Sequence, residues 1–399
     1  MRLIYLDNNA TTFVAPEVLD EMLPYLRDLY GNPSSMHTFG GKLYRRIEEA
    51  RAKVADLINA EPEEILFTSC GTESDNTAIM SAIESYPQSK HVVTTRVEHP
   101  AVLNFSKHLI RKGLRVTYIQ VDESGRLDMD AFIKAIDEDA TIVSIMYANN
   151  ETGVVFPIEQ IGEVLRERRI LFHTDAVQAV GKIPINMKRL SVDMLSLSGH
   201  KLHAPKGIGA LYIRKGTRFY PFIIGGHQEH GRRGGTENIA SIIGLGKACE
   251  LAKKNLAEEV HSISRLRNKL EGALLEKCPD TRVNGDREHR LPNTTNISFS
   301  YVEGEAILLR LDEYGICVSS GSACTSGSLE PSHVLRAMGV PYTAIHGSIR
   351  FSLSRYNEES EIDRVIEVMP IIIKELRILS PYGREKLWSC ASGRGRGNG

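Results

Sequence analysis

Lys201 stands where a lysine is better suited to chemistry than to folding. It follows Ser, Gly and His at the end of an apolar run, in the segment SLSGHKLHAPKGIG of residues 196–209. Open α/β folds bind their ligands at the carboxyl ends of buried strands. An amine held there can form a Schiff base with pyridoxal phosphate. A solvated loop lysine is the alternative for this segment taken alone.

An acidic residue, Asp175, follows another apolar run in LFHTDAVQ, residues 171–178. A carboxylate against the pyridine nitrogen of that cofactor keeps the ring protonated and makes it an electron sink. Because burial favours the neutral acid, this role needs a cationic partner. Gln178 is placed to hydrogen-bond the ring hydroxyl. The alternative is that Asp175 caps a following helix, but the presence of the lysine segment favours the cofactor role.

The segment SCGTESDN, residues 69–76, predicts an anion site between a strand and a helix. Backbone N–H groups and the helix dipole converge at such a junction. Gly71 lets a phosphate approach the backbone and Thr72 adds a hydroxyl, and Ser198 and His200 beside the lysine can add contacts. A capping box in which Thr72 and Asp75 serve the helix start is the alternative.

Polar side chains also follow two further strands. His99, in VEHPA, precedes a proline, and a histidine there can stack on the cofactor ring and move protons. A satisfied loop histidine is the alternative. Asn149 and Asn150, in YANNETG, are interpreted either as polar groups at a strand end or as turn formers.

Two more residues are candidates for substrate chemistry. Cys324 lies in SSGSACTSGSLEP, residues 319–331, a long Gly- and Ser-rich loop of the kind that is usually functional or disordered. It is interpreted as a reactive thiol, with an incidental surface thiol as the alternative, whereas Cys317 in an apolar run is expected in the core. Arg350, inside the strand pattern SIRFSLSR, suits the carboxylate of an amino-acid substrate, with a structural ion pair as the alternative.

The elements that must position these residues alternate between strand and helix, which predicts an α/β fold with a mostly parallel central sheet covered on both faces. The predicted strands are residues 64–69, 91–95, 115–120, 141–147, 170–174, 194–198 and 210–213, and the predicted helices are 72–83, 101–112, 128–136 and 158–168. A long amphipathic helix at 256–277 then leads into a smaller α+β part, with a helix predicted at 358–376.

The domain boundaries follow from that change of pattern. Residues 1–15 are expected to pack with the small domain, 16–257 to form the large cofactor-binding domain, 258–388 the small C-terminal domain, and 389–399 a mobile Gly-rich tail. This division remains a prediction.

Composition excludes several classes of protein. The formal net charge of -1 argues against a protein that coats nucleic acid or an anionic membrane, and 42% hydrophobic residues exclude disorder over most of the chain. The six cysteines form no C-x-x-C pair, so a reducing, cytoplasmic setting is expected. The first residues lack the apolar stretch of a secretory signal, and no run is long enough to span a membrane.

Taken together, these segments resemble the cysteine desulfurases of pyridoxal-phosphate fold type I, in the aminotransferase class-V family. Within them the chain is similar to the group of nitrogen-fixation and iron–sulfur-cluster assembly enzymes (NifS/IscS-like). The matching stretches run from end to end: YLDNNATT (5–12), YGNPSS (30–35), SCGTESDN (69–76), EHP (98–100), ANNETG (148–153), HTDAVQ (173–178), SGHKLHAPKG (198–207), GRRGGTEN (231–238), SSGSACTSG (319–327) and SIRFSLSR (348–355). The long cysteine loop is similar to that of the long-loop group.

The resemblance implies a role for each residue. Around the cofactor, Lys201 carries the Schiff base, Asp175 pairs with the pyridine nitrogen, Gln178 with the ring oxygen, and His99 stacks on the ring. The phosphate is held by Gly71, Thr72, Ser198, His200 and, from the neighbouring subunit of a homodimer, Thr236. Asn150 and Arg350 bind the substrate, and Cys324 accepts its sulfur.

The activity that the resemblance implies is conversion of L-cysteine to L-alanine, with the sulfur carried as a persulfide on Cys324. The sulfur would supply iron–sulfur cluster assembly through a scaffold protein of the NifU/IscU type, without nucleic acid or membrane. No resident metal is implied, and ligation of iron or a cluster by Cys324 is left open. The alternatives are another enzyme of the same fold, such as an aminotransferase or a selenocysteine lyase, and a non-enzymatic scaffold.

Overall fold

The structure is a computed structural model that describes residues 3–320 and 331–380. Its strands, in chain order, are β1 (Ile4–Tyr5), β2 (Ile65–Thr68), β3 (His91–Thr95), β4 (Arg115–Ile119), β5 (Ala140–Ser144), β6 (Leu171–Asp175), β7 (Met194–Ser198), β8 (Gly209–Ile213), β9 (Thr281–Asn284), β10 (Thr294–Phe299), β11 (Ile316–Cys317), β12 (Ser319–Ser320) and β13 (Ser348–Ser352).

The helices of the same residues are α1 (Pro16–Arg27), α2 (Thr38–Ile58), α3 (Gly71–Ser85), α4 (Pro100–Arg111), α5 (Met129–Ala135), α6 (Ile158–Arg168), α7 (Ile239–Lys277), α8 (Gly304–Glu313), α9 (His333–Ala337), α10 (Tyr342–Ile345) and α11 (Glu359–Leu379). Within the described ranges, no helix has the length and apolar character that crossing a membrane requires.

The described part of the chain contains a sheet of seven strands in the order β2-β8-β7-β6-β5-β3-β4. The neighbours from β7 to β4 are parallel, whereas β8 is antiparallel to both β7 and β2. The prediction of a mostly parallel sheet is therefore confirmed. The carboxyl ends of β5, β6 and β7 meet at one edge, where a parallel sheet presents its ligand-binding residues.

Helices cover both faces of this sheet because successive strand residues point to opposite sides. In β2, Ile65 and Phe67 join a core that includes α2, α6 and the start of α7, while Leu66 joins a second core with α3 and α4. All residues of β3 and β5 are buried. Such continuous burial explains why these strands are apolar throughout rather than alternating.

A second, antiparallel sheet has the order β12-β13-β10-β9. It packs against α8, α11 and the second half of α7 in a core of its own, which includes Leu270, Ile297 and Phe351. The N-terminal segment belongs to this side: β1 pairs with β11, and Asp7 forms a bridge with Ser352 of β13. The segment thus runs from the small sheet towards the edge of the large one.

The connecting helix is longer than predicted. The sequence pattern predicts its start at residue 256, but α7 begins at Ile239. Gly244 and Gly246 weaken the helical pattern in the missing part. A Cβ at Gly244 would lie 2.6 Å from Met22 Sδ, and one at Gly246 would lie 2.8 Å from Ala50 Cα. These glycines therefore allow α7 to pack closely against α1 and α2, which the pattern did not predict either.

Candidate active site

A cleft of about 420 Å³ opens at the carboxyl edge of the large sheet. It brings together ten of the residues singled out from the sequence: Gly71, Thr72, His99, Asn150, Asp175, Gln178, Ser198, His200, Lys201 and Arg350. The N-terminal segment adds Asp7, Asn9 and Ala10 to the lining. Thr236 is exposed and does not line this cleft, and Cys324 lies outside the described residues.

Lys201 ends a short 3-10 turn, Gly199–Lys201, that directly follows β7. Its Nζ donates to the backbone carbonyls of Asn9 at 2.6 Å and Ala10 at 2.7 Å. Both acceptors belong to the N-terminal segment, so residues almost 200 positions apart in sequence fix where the amine lies. The amine lines the cleft, and the solvated-loop alternative does not describe it.

Asp175 is the last residue of β6 and is buried. Its Oδ1 accepts from Val177 N at 3.0 Å, and turns rather than a helix follow it. The helix-cap alternative is therefore wrong. Burial raises the pKa of Asp175, while the nearby His99 and Lys201 act in the opposite direction. A cation placed next to this carboxyl would favour its ionised form.

His99 is the N-cap of α4, and its Nδ1 accepts from Ala101 N at 3.1 Å. Burial lowers the pKa of His99, partly offset by Asp175. A neutral imidazole whose Nδ1 accepts a hydrogen bond carries its proton on Nε2. The residue thus combines the structural role of a cap with a place in the cleft, and the two interpretations of the sequence are not exclusive.

The start of α3 forms a cradle suited to an anion. The N-cap is Cys70, which makes no side-chain cap, so the alternative of a capping box by Thr72 and Asp75 is wrong. The Ser198 hydroxyl is buried and has no hydrogen-bond partner among the described residues. The acidic residue of this first turn, Glu73, is bonded to Arg233 at 3.0 Å, which counters its charge.

His200 also lines the cleft, and its Nδ1 lies 3.2 Å from Thr11 Oγ1. Burial and the neighbouring Lys201 lower the pKa of His200 to about 4. Its imidazole is therefore neutral at pH 7 and can offer an N–H to a ligand without adding a charge.

Arg350 projects from β13 into the cleft. It donates from one terminal nitrogen to Asp7 Oδ1 at 2.7 Å and from the other to Asn150 O at 3.1 Å. Its Nε is buried with no partner within the described ranges. The structural ion pair that the sequence left as an alternative is present, but one edge of the guanidinium still carries an unused donor.

The two asparagines after β5 have different roles. Asn149 builds the turn: its Oδ1 accepts from Glu151 N and Thr152 N, and its Nδ2 donates to Val97 O at 3.0 Å. Asn150 lines the cleft, and its carbonyl oxygen accepts from Arg350 and Asn9. Both interpretations from the sequence hold, one for each residue.

Several cleft residues were missed by the sequence analysis, and Asn9 is the most connected of them. Its Oδ1 accepts from Lys182 and Asn293, and its Nδ2 donates to Thr294 Oγ1 at 2.8 Å. The motif YLDNNATT was the available signal, but nothing in its spacing indicates these distant partners. Asp7 was missed for the same reason.

A buried carboxyl next to the site, Glu98, was also missed. It accepts from Thr95 Oγ1 at 2.7 Å and from Met146 N at 3.1 Å, and burial raises its pKa to about 8. Glu98 is therefore a neutral acid at pH 7. Its hydrogen bonds connect the turn that contains His99 with the chain just after β5.

A residue just before the segment that contains Thr236 is anchored to α2 and β2. Glu229, which has the left-handed φ of 48°, is buried and forms a two-pronged ion pair with Arg51 at 2.7 and 2.8 Å. It also accepts from Phe67 N in β2. These contacts anchor Glu229, just before the segment 231–238, to α2 and β2.

Cys317, expected in the core, is only half-buried in β11.

Comparison with known proteins identifies the family. Residues 4–365 match the aminotransferase class-V model. The chain belongs to the aminotransferase class-V family. This confirms the resemblance and the fold class predicted from the motifs. Similar proteins include the cysteine desulfurase of Trichormus azollae, 61% identical over 97% of this chain and 96% of the relative. Cysteine desulfurase NifS of Azotobacter vinelandii is 57% identical over 95% of this chain and 94% of that relative.

Solved structures of similar proteins agree with the fold. A NifS-like protein superposes with a TM-score of 0.89 at 40% identity, covering 94% of this chain and 100% of that one. A structure described as SspA in complex with cysteine gives a TM-score of 0.78 at 36% identity over 89% of this chain and all of the other.

Proposed function

We propose that this protein is a cysteine desulfurase that converts L-cysteine to L-alanine and carries the sulfur as a persulfide on Cys324. The observation that carries the proposal is the convergence of Lys201, Asp175 and Arg350 on one cleft. An amine, a buried carboxyl and a guanidinium are the groups that an enzyme acting on an amino acid through pyridoxal phosphate requires. Full-length relatives bearing the name cysteine desulfurase support the choice of reaction.

The cleft fits pyridoxal phosphate on its own chemistry. The unpartnered Ser198 hydroxyl and the uncapped first turn of α3 lie in its lining and would hold the phosphate together with Gly71, Thr72 and His200. Asp175 would pair with the ring nitrogen and Lys201 would bind the cofactor covalently. When bound, the cofactor supplies an electron sink that acidifies the Cα–H of an amino acid and weakens its Cβ–S bond.

Arg350 orients the substrate. Its unpartnered Nε and the adjacent terminal nitrogen form an edge that a carboxylate can bind with two parallel hydrogen bonds. Asn150, which accepts from Arg350 through its carbonyl oxygen, keeps the guanidinium at the end of β5.

Proton movements fall to two residues of this chain. The Lys201 amine takes the Cα proton of the substrate, because it lines the same cleft as Arg350. We assign proton transfer at the reacting sulfur to His99, which carries its proton on Nε2 and lines the same cleft.

Sulfur transfer exchanges one bond to the substrate sulfur for another. The Cys324 thiolate attacks the substrate sulfur, so that an S–S bond forms while the Cβ–S bond breaks. The electron pair of the broken bond remains on Cβ, which takes up a proton, and L-alanine leaves. The enzyme sulfur and the substrate sulfur are oxidised to a persulfide, and the carbon is reduced.

The proposal extends to a homodimer whose neighbouring subunit supplies Thr236 to the phosphate. Its support is the exposure of Thr236 and of large apolar side chains on α1 and just after it, including Leu23, Leu26 and Tyr30. Delivery of the sulfur to a NifU/IscU-type scaffold for iron–sulfur clusters, in the cytoplasm, completes the proposal. The names of the NifS relatives support it.

One titration tests the activity. L-cysteine is added to cofactor-loaded protein without reductant, and the visible absorbance, the alanine released and the intact mass are followed. We expect a change in the absorbance, alanine, and the mass of one sulfur atom on the peptide that contains Cys324. Absorbance changes without sulfur on that peptide would favour another reaction type, such as that of an aminotransferase.

Two variants make the test specific. Cys324→Ala is expected to keep the visible band and to lose alanine formation, whereas the matched thiol control Cys390→Ala should keep both. Full turnover by Cys324→Ala would contradict the persulfide, and a protein that stays colourless with pyridoxal phosphate would contradict the enzyme altogether and favour a non-enzymatic scaffold.

A further inference from the structure

Lys182 is a half-buried lysine that none of the chemistry above uses. Its Nζ lies 2.6 Å from Gln178 Oε1 and 3.2 Å from Asn9 Oδ1, behind the wall of the cleft. Neither partner is charged, and among the described residues no carboxylate forms an ion pair with it. Burial and the positive charges of Lys201 and Arg350 lower the pKa of Lys182 well below its ordinary value. Such a costly placement needs a reason.

The ionisable groups in the cavity on the other side of Lys182 do not compensate its charge. Lys182 shares a small cavity with His203, Glu259 and Arg355. Glu259 is bonded to Arg355 at 2.7 Å, so its charge is already paired. Burial lowers the pKa of His203 to about 3, so its imidazole is neutral at pH 7. The contacts that remain for Lys182 are the two amide oxygens.

Those contacts fix the orientation of Gln178. The Gln178 amide oxygen lies 2.6 Å from Lys182 Nζ, which has N–H donors for it whether the amine is charged or neutral. The carbonyl of Asn9 only accepts, and Gln178 Nε2 donates to it at 3.0 Å. Lys182 and Asn9 therefore favour the same orientation of the Gln178 side-chain amide. The second N–H of Nε2 is left over, and Gln178 lines the cleft.

We propose that Lys182 is a positioning residue: by holding Gln178 Oε1, it keeps an amide N–H of Gln178 directed at the ring oxygen of the bound cofactor. This inference rests on the proposed function, because it assumes pyridoxal phosphate in the cleft. A donor to that oxygen favours its ionised form over the protonated one. The Schiff base with Lys201 should then titrate at a lower pH than it would without Lys182.

The experiment is a pH titration of the visible absorbance of cofactor-loaded protein, with no substrate and no turnover. Lys182→Met keeps most of the apolar stem but donates no hydrogen bond. We expect it to raise the pKa of the Schiff base by about one unit, a tenfold change in proton affinity, the scale expected for loss of a hydrogen bond to a charged group. Lys182→Arg, which keeps the donors, should return the pKa towards that of the wild type.

A double-mutant cycle separates positioning from other effects. In the background of Gln178→Ala, Lys182→Met should no longer move the pKa, because the residue through which it acts is gone. A direct effect of the lysine charge, or one transmitted through Asn9, would produce the same shift in both backgrounds and would overturn the inference. An unchanged pKa in Lys182→Met would overturn it as well. Absence of any visible band in the wild type would instead refute the proposed function.

Discussion

Replacing Asp7 by Asn should tighten binding of the substrate carboxylate. Asp7 is held over Arg350 because its backbone bridges Ser352, two residues along the same strand. Its Oδ1 accepts from the guanidinium nitrogen next to the unused Nε. A substrate carboxylate on that edge would share the nitrogen with Asp7, and two anions would lie side by side. Asn keeps the size and one acceptor oxygen but removes the charge.

The repulsion can be estimated from this geometry. Two like charges roughly 5 Å apart, at an effective dielectric constant of roughly 40, repel by about 1.7 kcal/mol. Because the Asp7 side chain is 20% exposed, solvent and salt screen part of that repulsion. A net gain of about 1 kcal/mol is a reasonable expectation, which corresponds to a roughly fivefold lower Kd.

The assay is a titration of cofactor-loaded protein with L-alanine, the expected product, which carries the carboxylate but no sulfur to transfer. The change in visible absorbance gives Kd for the wild type, Asp7→Asn and a matched surface control, Asp139→Asn. The gain should shrink at high ionic strength, because it is electrostatic. Severalfold weaker binding by Asp7→Asn would refute the reasoning and would mean that Asp7 is needed to orient Arg350 rather than to oppose the ligand.

Three further predictions concern stability and the cradle. Since the pKa of Glu98 is raised to about 8, its contribution to stability is full below the ordinary carboxyl pKa and is lost as pH rises through about 8. The stability of Glu98→Gln relative to the wild type, from urea unfolding, should therefore increase by about 1.4 kcal/mol per pH unit between about pH 5 and 8. Glu229→Gln leaves Arg51 with the partly exposed Glu48 as its remaining carboxylate partner and should cost about 3 kcal/mol, the lower end of the range for breaking a buried ion pair, visible as a lower thermal midpoint than that of the matched surface variant Glu63→Gln. Gly71→Ala places a Cβ 2.8 Å from Val177 Cγ2, so equilibrium dialysis should show severalfold weaker retention of pyridoxal phosphate. Unchanged retention would contradict this and would mean that the Val177 side chain moves aside.

The large sheet was predictable because its signal is local. Strands buried on both faces are apolar throughout. The residues that start and stop the helices between these strands lie at the helix ends themselves, so they can be recognised from the local sequence. The helices predicted at 72–83, 101–112, 128–136 and 158–168 all lie within two residues of α3, α4, α5 and α6. The same locality explains the residues at strand ends: Asp175 is the last residue of β6, and Lys201 ends the short turn that directly follows β7.

Failures of prediction occurred where packing overrides the local pattern. The start of α7 was missed because Gly244 and Gly246 disfavour a helix in isolation, whereas in the fold they allow close contact with Met22 and Ala50. The run ICVS at 316–319 is divided between two strands, since β11 pairs with β1 and β12 with β13. The partner, rather than the apolar run, decides where each strand ends.

The N-terminal segment shows why a residue can be essential to a site and still give no signal in its neighbourhood. Asn9 bonds to Asn150, Lys182 and Thr294, residues 141 to 285 positions away. Its carbonyl also accepts from Lys201 and Gln178. The backbone beside it, at Asn8 and Asp7, is bonded to β13 of the small sheet. A displacement of that sheet relative to the large one would therefore move the acceptors of Lys201 and the partner of Arg350 together. The position of the reacting amine is thus coupled to the position of the group that binds the substrate carboxylate, and no spacing along the chain records that coupling.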